Sequence, residues 1–240
     1  MASLLNVTKV AAGLNEGLRL SRRSFDELRE LIIRLYPRSS WVELGRTVVL
    51  ARIQASQVMP WPDRPNEGML SFSCHYGRST TTTVGHRSPK GDHIAQVVDS
   101  VIKGSNAIDM NSLCILSGQR VWNLKVHIHV VVDDGNVLDA ACMSCMAALS
   151  SFRFVDATAA GDHAESLANA DDPLPLLHHP LTISFAVVPY QSKKFVVADP
   201  DKGEESASAA IITIGCNPAG DICLVNKCGG TSVTPETISQ

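Results

Sequence analysis

The chain has 240 residues, of which 45% are apolar and 19% are charged, and its formal net charge is −3. This composition is typical of a globular protein with a substantial core. A protein that binds nucleic acid tightly on its own is usually basic, so any contact with RNA or DNA has to be local or shared with partners. Aromatic residues make up only 5%, which leaves few platforms for base stacking.

The seven cysteines are an odd number, and several of them lie inside apolar runs. This usage is typical of reduced thiols in a reducing compartment. The N-terminal segment lacks the apolar stretch and cleavage site of a secretory signal, and no apolar run reaches the ~18 residues of a membrane span. We therefore expect a soluble intracellular protein.

The first part of the chain is predicted to form a short helix, a β-hairpin, a loop and a further strand. The helix covers residues 1–20, and the hairpin covers 39–55 with its turn at Gly45 and Arg46. Three prolines mark a loop at 60–68, and the alternating stretch MLSFSCHYG follows it as a strand.

A polar segment and an amphipathic helix come next. Residues 77–91 are rich in Thr, Ser and Gly, and we expect them to form a mobile loop. Apolar residues then recur at i, i+3, i+4, i+7 and i+8 over residues 92–103. This spacing predicts a helix that Asp92 caps and Gly104 ends.

The most informative stretch is a strand followed by a tight acidic turn and a helix. Residues 121–132 alternate with period 2, so that apolar side chains lie on one face and polar side chains on the other. The helix after the turn begins where a backbone of this kind can bind an anion. The residues there are Asn136, Val137 and Leu138, which provide neither a cation nor a hydroxyl group. The geometry therefore suits phosphate, and the side chains do not.

The second part of the chain is predicted to form two further hairpins. A linker of low hydrophobicity at 154–180 precedes them, and their turns are expected at 190–194 and 218–221. A last helix is predicted with Thr234 as its cap, and we expect it to be truncated at the end of this chain. Hairpins with helices laid on one side predict an α+β fold of mixed β-sheets rather than a doubly wound parallel sheet.

Cysteine and histidine pairs with metal-ligand spacing have simpler interpretations. Cys142 and Cys145 form a CxxC pair, but a zinc site needs four ligands and the remaining cysteines are spaced irregularly. We interpret the pair as buried core thiols. His127 and His129 share one strand face and could bind a metal, but no carboxylate pair accompanies them. We interpret them as packing or interface histidines.

The charged clusters leave several interpretations open. The acidic segment from Asp199 to Glu205 could hold Mg²⁺ or act in acid–base chemistry, or it could be a solvated turn. Two basic clusters could contact phosphates, form a solvated face or pair with an acidic partner surface. They consist of Arg19, Arg22, Arg23 and Arg29 near the N-terminus, and of Arg78, His86, Arg87 and Lys90 in and beside the polar loop.

The sequence has no GxxxxGK[ST] loop, no GxGxxG turn opening a helix and no GxSxG elbow, so nucleotide hydrolysis and serine acyl transfer have no signal. Six other segments between about residues 15 and 235 match a known family. They are EGLRLSRR, WVELGRTVVLARI, RPNEGMLSF, IDMNSLCILSGQRVWNLKVHIHVVVDDGNVLDAA, PLTISFAV and VVADPDKGEES. The chain resembles the RNase PH-like ring subunits of the eukaryotic RNA exosome. The most similar are the non-catalytic subgroup and, within it, the PM/Scl autoantigen-type subunit.

The resemblance implies an RNase PH fold, which is ribosomal protein S5 domain 2-like, in a six-membered ring of related subunits. In phosphorolytic members the turn after the long strand carries Gly-Thr-Arg or Gly-Ser-Arg, which hold the attacking phosphate. The matching positions here are Asn136, Val137 and Leu138. Active members also have two aspartates on the acidic segment, and the matching pair here is Asp199 and Glu205. The phosphate site and the acidic pair are therefore both degenerate.

The resemblance therefore implies a non-catalytic structural subunit of the exosome ring. Such a subunit supports 3′-to-5′ RNA processing, including rRNA processing, and RNA degradation by assembling the RNA-threading channel. It implies no catalytic residue, no metal site and no cofactor. The candidates for RNA contact are Arg78, Arg87 and Lys90.

Two alternatives stay open at this point. The first is an active phosphorolytic 3′-exoribonuclease of the RNase PH family, which the retained Asp199 keeps open. The second is a stand-alone RNA-binding module, which the net charge of −3 and the scarcity of aromatic residues oppose.

The expected organisation is a single RNase PH-like module over residues 1–240, with a first subdomain at 15–153 and a second at 180–240. The expected partners are other RNase PH-like ring subunits, cap subunits, an associated exoribonuclease and RNA in the assembled channel, with no membrane. We expect a ring neighbour to pair by joining sheets edge to edge and by packing helices. The strand 122–132 and the hairpin 42–53 are the candidates for core and interface. The family places such subunits in the nucleus, including the nucleolus, and in the cytoplasm.

Overall fold

A computed structural model of the chain describes residues 4–76, 88–154, 173–191 and 193–230. The helices in these ranges are α1 (Leu4–Asn15), α2 (Pro89–Gly104), α3 (Val137–Ser151) and α4 (Lys202–Ala207), and Met110–Leu113 forms a 3₁₀-helix. The strands are β1 (Leu31–Tyr36), β2 (Ser39–Leu44), β3 (Thr47–Val58), β4 (Met69–Tyr76), β5 (Cys114–Leu116), β6 (Arg120–Val132), β7 (Leu181–Tyr190), β8 (Lys193–Ala198), β9 (Ala210–Cys216) and β10 (Ile222–Gly229).

The strands form two sheets. The first sheet has the order β1-β2-β3-β6-β4, and β5 pairs with the start of β6. It is mixed, because β4 runs parallel to β6 whereas the other neighbours are antiparallel. The second sheet has the order β10-β9-β7-β8 and is antiparallel throughout.

The helices cover one face of each sheet. Helix α3 packs against β2 and β3 of the first sheet and against β7 of the second, and α2 packs against β4 and β10. These two helices therefore lie between the sheets, while α1 and α4 pack against each other and on β7. This arrangement confirms the predicted α+β fold of mixed sheets with helices on one side.

Strand β6 is the centre of the main core. Leu124, Val126 and Ile128 are fully buried against the helices, and each such side chain stabilises the fold by about 1.5–3 kcal/mol relative to exposure. The polar side chains alternate with them and lie on the opposite face of the sheet, as the period-2 pattern predicted. Cys142 and Cys145 belong to the same core, which confirms their interpretation as buried thiols.

Helix α2 begins earlier than the apolar periodicity indicated. Ser88 is its N-cap residue and Pro89 stands in its first turn, so Asp92 lies inside the helix and is not its cap. The fixed φ of proline suits the first turn of a helix, which extends α2 into the polar segment. Predictions for residues 77–87, for most of the 154–180 linker and for the helix capped by Thr234 lie outside the described residues.

One edge of the first sheet, opposite the edge formed by β4, is β1. All six of its residues are exposed, among them Leu31, Ile33 and Leu35. Strand β6 pairs with β3 on one side and with β4 on the other. The strand 122–132 therefore lies in the core of the sheet and not at one of its edges. In the part of the chain that the structure describes, no helix is long and apolar enough to cross a membrane.

Candidate functional site

The candidate site lies where the turn between β6 and α3 meets the segment that leads into α4. Gly135 has φ +90°, and a Cβ atom there would lie 2.5 Å from both the carbonyl carbon of Asp201 and the amide nitrogen of Lys202. The two backbones can approach this closely only because residue 135 is glycine. Asn136 follows in the left-handed conformation, with φ 50°, and is the N-cap residue of α3.

This contact brings together the two motifs that the sequence analysis singled out. The backbone amide of Asn136 donates to Oε1 of Glu205 at 2.7 Å, and its side-chain Nδ2 donates to Oδ1 of Asp199 at 2.7 Å. A helix start attracts negative charge because its first amides and its dipole point towards the ligand. Here a carboxylate of the protein itself takes that position.

Val137 and Leu138 follow Asn136 at the start of α3. Val137 is buried in the main core, and Leu138 is partly buried against it. Neither side chain offers a hydrogen-bond donor to an anion. Burial raises the pKa of Glu205 despite the hydrogen bond from the Asn136 amide, which lowers it.

The carboxylate of Asp199 is saturated with hydrogen bonds. Arg29 donates to it from Nε at 2.9 Å, from Nη2 at 2.8 Å and from its backbone amide at 2.8 Å, and Arg23 Nη1 donates at 3.1 Å. With the bond from Asn136, the carboxylate accepts five hydrogen bonds. A carboxylate has roughly four lone-pair positions, so no position is left for a further donor. Burial opposes ionisation, but the bonds from Arg29 and Asn136 outweigh it and lower the pKa of Asp199.

The neighbouring ion pair is fully buried. Arg19 donates to Glu204 from Nε at 2.8 Å and from Nη2 at 2.6 Å, and the two side chains are 0% and 1% exposed. Glu204 also completes a capping box with Asp201 at the start of α4. Arg19 and Glu204 therefore join the N-terminal segment to α4.

These contacts correct two of the open interpretations of charge. The segment from Asp199 to Glu205 is not a solvated turn, because Asp199 and Glu204 are each 1% exposed. Three of the four N-terminal arginines, Arg19, Arg23 and Arg29, do not form a solvated face, because they pair with these carboxylates inside the chain.

A second carboxylate, which sequence reasoning missed, lies in the first turn of α3. Asp139 accepts from Asn136 Nδ2 at 2.8 Å, from the amide of Ser184 at 2.8 Å and from Ser184 Oγ at 2.9 Å. It is 4% exposed, and burial raises its pKa to about 6. An aspartate within the first turn of an otherwise apolar helix was the available signal, because such a charge is buried only when it is hydrogen-bonded.

Lys90, one of the three candidate RNA contacts, pairs with other residues of this chain. Its Nζ lies 2.8 Å from Tyr76 Oη and 3.3 Å from Asp133 Oδ2, and it stands over the Tyr76 ring. Asp133 also accepts a hydrogen bond from Tyr76 and pairs with Lys202 at 3.2 Å. The other two candidates, Arg78 and Arg87, lie outside the described residues, so the RNA role of all three stays a prediction.

Metal ligation has no support in the part of the chain that the structure describes. No group of three or more His, Cys, Asp and Glu side chains there could hold a metal ion. Asp199 illustrates the reason, since arginine and asparagine donors occupy its oxygens. His127 and His129 lie on the side of the first sheet opposite the helices, away from this carboxylate cluster.

Comparison with known proteins gives one family. The family models described as "3′ exoribonuclease family" match residues 33–154 with their domain 1 and residues 178–240 with their domain 2. The chain is 32% identical over 237 residues to exosome complex component RRP45A of Arabidopsis thaliana, which covers 95% of this chain and 77% of the relative. It is 30% identical over 243 residues to exosome complex component rrp45 of Schizosaccharomyces pombe, covering 98% and 83%.

A solved structure agrees with these relatives. A chain of the Archaeoglobus fulgidus exosome with RNA bound to the active site superimposes with a TM-score of 0.82. The two sequences are 28% identical, and the match covers 98% of this chain and 91% of the archaeal one. The predicted RNase PH fold is thereby confirmed.

Proposed function

The chain belongs to the 3′ exoribonuclease family, and from this membership and the geometry at the start of α3 we propose that it is a non-catalytic structural subunit of an exosome ring. In this role it supports 3′-to-5′ RNA processing and degradation by helping to build the channel through which RNA passes. Its relatives at 30–32% identity are named exosome complex components, which supports the assembly part of the proposal.

One observation carries the non-catalytic part. The Glu205 carboxylate stands 2.7 Å from the amide of Asn136, at the position where a helix start would receive a phosphate. A phosphorolytic enzyme has to neutralise an incoming phosphate with donors and cations. Here phosphate would meet a carboxylate of the same charge and the apolar side chains of Val137 and Leu138.

The charged groups around this point act as a brace in the proposed subunit. Arg29 donates to Asp199 and also to the carbonyl oxygens of Asp134 and Gly135, each at 3.1 Å. Arg19 joins the same N-terminal segment to α4 through Glu204. Each strong donor is thus satisfied by a protein acceptor, which favours a structural role for these residues over a catalytic one.

The competing function is phosphorolytic exoribonuclease activity. The observation that favours it is the retained Asp199 with two arginines beside it, since basic groups near an acid are also what phosphate transfer requires. The five hydrogen bonds on Asp199 oppose this function, because a carboxylate held in this way has no position left for a reacting group.

Incubation of the purified chain with single-stranded RNA and inorganic phosphate tests the catalytic question. We expect no release of nucleoside diphosphates, whereas a phosphorolytic member of the family, assayed in parallel, releases them. Release of nucleoside diphosphates by this chain would establish the competing function instead. In that case Glu205→Gln should accelerate the release, because the substitution removes the carboxylate charge from the phosphate position.

Affinity purification of the tagged chain from its own cells, followed by native mass spectrometry, tests the assembly question. We expect a ring of several RNase PH-like subunits together with cap subunits and an associated exoribonuclease. A monomer or a homo-oligomer alone would overturn the proposed ring role. Imaging of the same tagged chain tests the proposed localisation in nucleus, nucleolus and cytoplasm.

A further inference from the structure

The face of the first sheet that points away from the helices carries an unusual set of side chains. We call it the open face and define it by the residues that strand register places together on it. The polar and aromatic ones are Arg34 and Tyr36 on β1, Trp41 and Glu43 on β2, Arg52 and Gln54 on β3, Lys125, His127 and His129 on β6, and Ser71, Ser73 and His75 on β4, and the apolar side chains among them are Ile32, Val48, Leu50 and Met69. Among the described elements, the helices pack only on the opposite face.

Three imidazole rings lie together at the centre of the open face. The ring centroid of His75 is 5.0 Å from that of His129 and 6.4 Å from that of His127, with interplanar angles of 21° and 24°. Ser73 Oγ lies 2.8 Å from Nδ1 of His127 and holds that ring in place. The rings are therefore arranged as a nearly parallel group on two neighbouring strands.

Two larger rings lie farther across the same face, with Leu50 between Trp41 and the histidine group. Trp41 is in register with Leu50, which in turn is in register with His129. Tyr36 stands on the exposed edge strand β1 in register with Ser39 of β2. Although aromatic residues are scarce in the chain, part of the small set is thus gathered on one face.

The open face is also locally basic. It carries Arg34, Arg52 and Lys125 against one acid, Glu43, and that acid is taken by a salt bridge with Arg34 and a hydrogen bond from Trp41 Nε1. Arg52 and Lys125 are exposed and form no salt bridge with any residue that the structure describes. The local charge is therefore opposite in sign to that of the whole chain.

We propose that the open face binds single-stranded RNA, with bases stacked on its rings and phosphates held by Arg52 and Lys125. Exposed bases stack on aromatic and histidine side chains of open sheets, and this contact tolerates any sequence because every base has a flat face. Two exposed cations beside the rings supply the salt-dependent part of the binding. The neutral hydroxyl of Ser71 can form hydrogen bonds with base edges or sugars.

The composition of the face favours RNA over a protein neighbour. The buried centre of a protein interface is depleted in charged residues, and lysine is depleted at interfaces, whereas arginine and aromatic residues are enriched there. Here Lys125 and Arg52 stand next to the histidine group, where burial under a protein without acids would leave two charges unpaired. An extended phosphate chain offers negative charge along the whole length of the face.

The histidine group adds a dependence on pH. Burial, followed by the charges of neighbouring groups, lowers the pKa values of His127 and His129 in the free chain. The titratable groups facing them are His75 on β4, Arg52 on β3 and Lys125 on β6, all of which oppose a further positive charge. Bound phosphate would favour protonation of the rings and raise their pKa values, so binding should strengthen as the pH falls.

Fluorescence anisotropy of the purified chain with a labelled oligouridylate tests the proposal. We expect binding that Arg52→Gln and Lys125→Gln weaken, each lowering the slope of log affinity against log salt by about one. We expect His75→Ala to weaken binding by roughly tenfold, because one stacking platform is lost. Lys9→Gln is the matched control, since it removes an exposed cation on α1, remote from the face.

Ultraviolet cross-linking of thiouridine-containing RNA to the complex purified from cells provides the second readout. Cross-linked peptides from β4 or β6 are expected. Absence of oligouridylate binding, equal binding by Arg52→Gln, Lys125→Gln and wild type, or loss of the two variants from the complex would overturn the proposal, and the last result would identify a protein interface. Because the isolated chain is titrated, the outcome is independent of the proposed ring role.

Discussion

At the scale of single residues, Asp199 is the most heavily used side chain of the candidate site. It links the N-terminal segment through Arg23 and Arg29 to the start of α3 through Asn136. Breaking such ion pairs is costly, because the arginines that remain are buried without a counter-charge. The expected effect of a substitution is therefore on stability and not on catalysis.

We predict that Asp199→Asn lowers the free energy of unfolding by about 3–5 kcal/mol, because two largely buried arginines lose their counter-charge. Urea denaturation of the purified chain measures the change. Arg64→Gln is the control, since it removes the exposed pair with Glu67 and is expected to cost about 0–1 kcal/mol. Equal stability of Asp199→Asn and wild type would show that Asp199 does not brace the fold.

The raised pKa of Asp139 predicts a pH dependence of stability. Its pKa is about 6 in the folded chain against an ordinary value of 3.8, so between these values the folded state binds more protons than the unfolded state. The contribution of this group is fully present below about pH 4 and is lost as the pH rises through 6, by about 3 kcal/mol in total.

The variant Asp139→Asn isolates this contribution, because the amide does not titrate. We expect the unfolding free energy of wild type minus that of the variant to fall between about pH 4 and pH 7. The difference also cancels the opposite trend from Asp199, whose pKa is lowered. A difference that does not change with pH would mean that Asp139 is solvated.

At the scale of elements, the turn between β6 and α3 determines the site. Gly135 allows the turn to touch the segment before α4, and Thr47 Oγ1 donates to the carbonyl oxygen of Gly135 at 2.6 Å. Asn136 can then reach both Asp199 and Glu205. A change at the glycine should therefore act on the whole cluster.

We predict that Gly135→Ala destabilises the chain by more than Gly118→Ala. Both glycines have positive φ, so both substitutions carry a conformational cost of about 1–2 kcal/mol. Only at Gly135 would the new Cβ atom also meet backbone at 2.5 Å, whereas nothing lies within 4 Å at Gly118. Thermal unfolding of the two variants side by side separates the backbone clash from the conformational cost. Equal decreases in melting temperature would indicate that the two backbones can move apart.

Local patterns were enough to predict most elements but not the contacts of the site. The alternation in β6 and the spacing of apolar residues in α2 act over a few residues, so the sequence alone indicates them. Arg29 and Asp199 are 170 positions apart, and only the packing of α3 between two sheets brings them together. The resemblance to a family pointed to Asp199 and Glu205, whereas Arg29 and Asp139 had no comparable signal.

At the scale of the whole molecule, the sheets leave specific surfaces for assembly. Strand β1 is an edge strand with exposed apolar side chains on both faces, among them Ile32 at 37% exposure on one face and Leu35 at 56% on the other. Such an edge offers free backbone groups to another strand, and isolated proteins usually protect it with charges or short length. In the proposed ring, β1 is therefore the part of the first sheet best suited to contact a neighbour.

We predict that Leu35→Lys leaves the chain folded and removes it from the complex recovered from cells. A lysine on an edge strand opposes strand addition, and because Leu35 is already exposed the substitution costs little stability in the free chain. Native mass spectrometry of the tagged variant measures the loss, and Leu177→Lys, at a position 64% exposed outside the strands, is the control. Full incorporation of Leu35→Lys would mean that β1 faces solvent in the assembly, and that the neighbours meet through other surfaces of the two sheets.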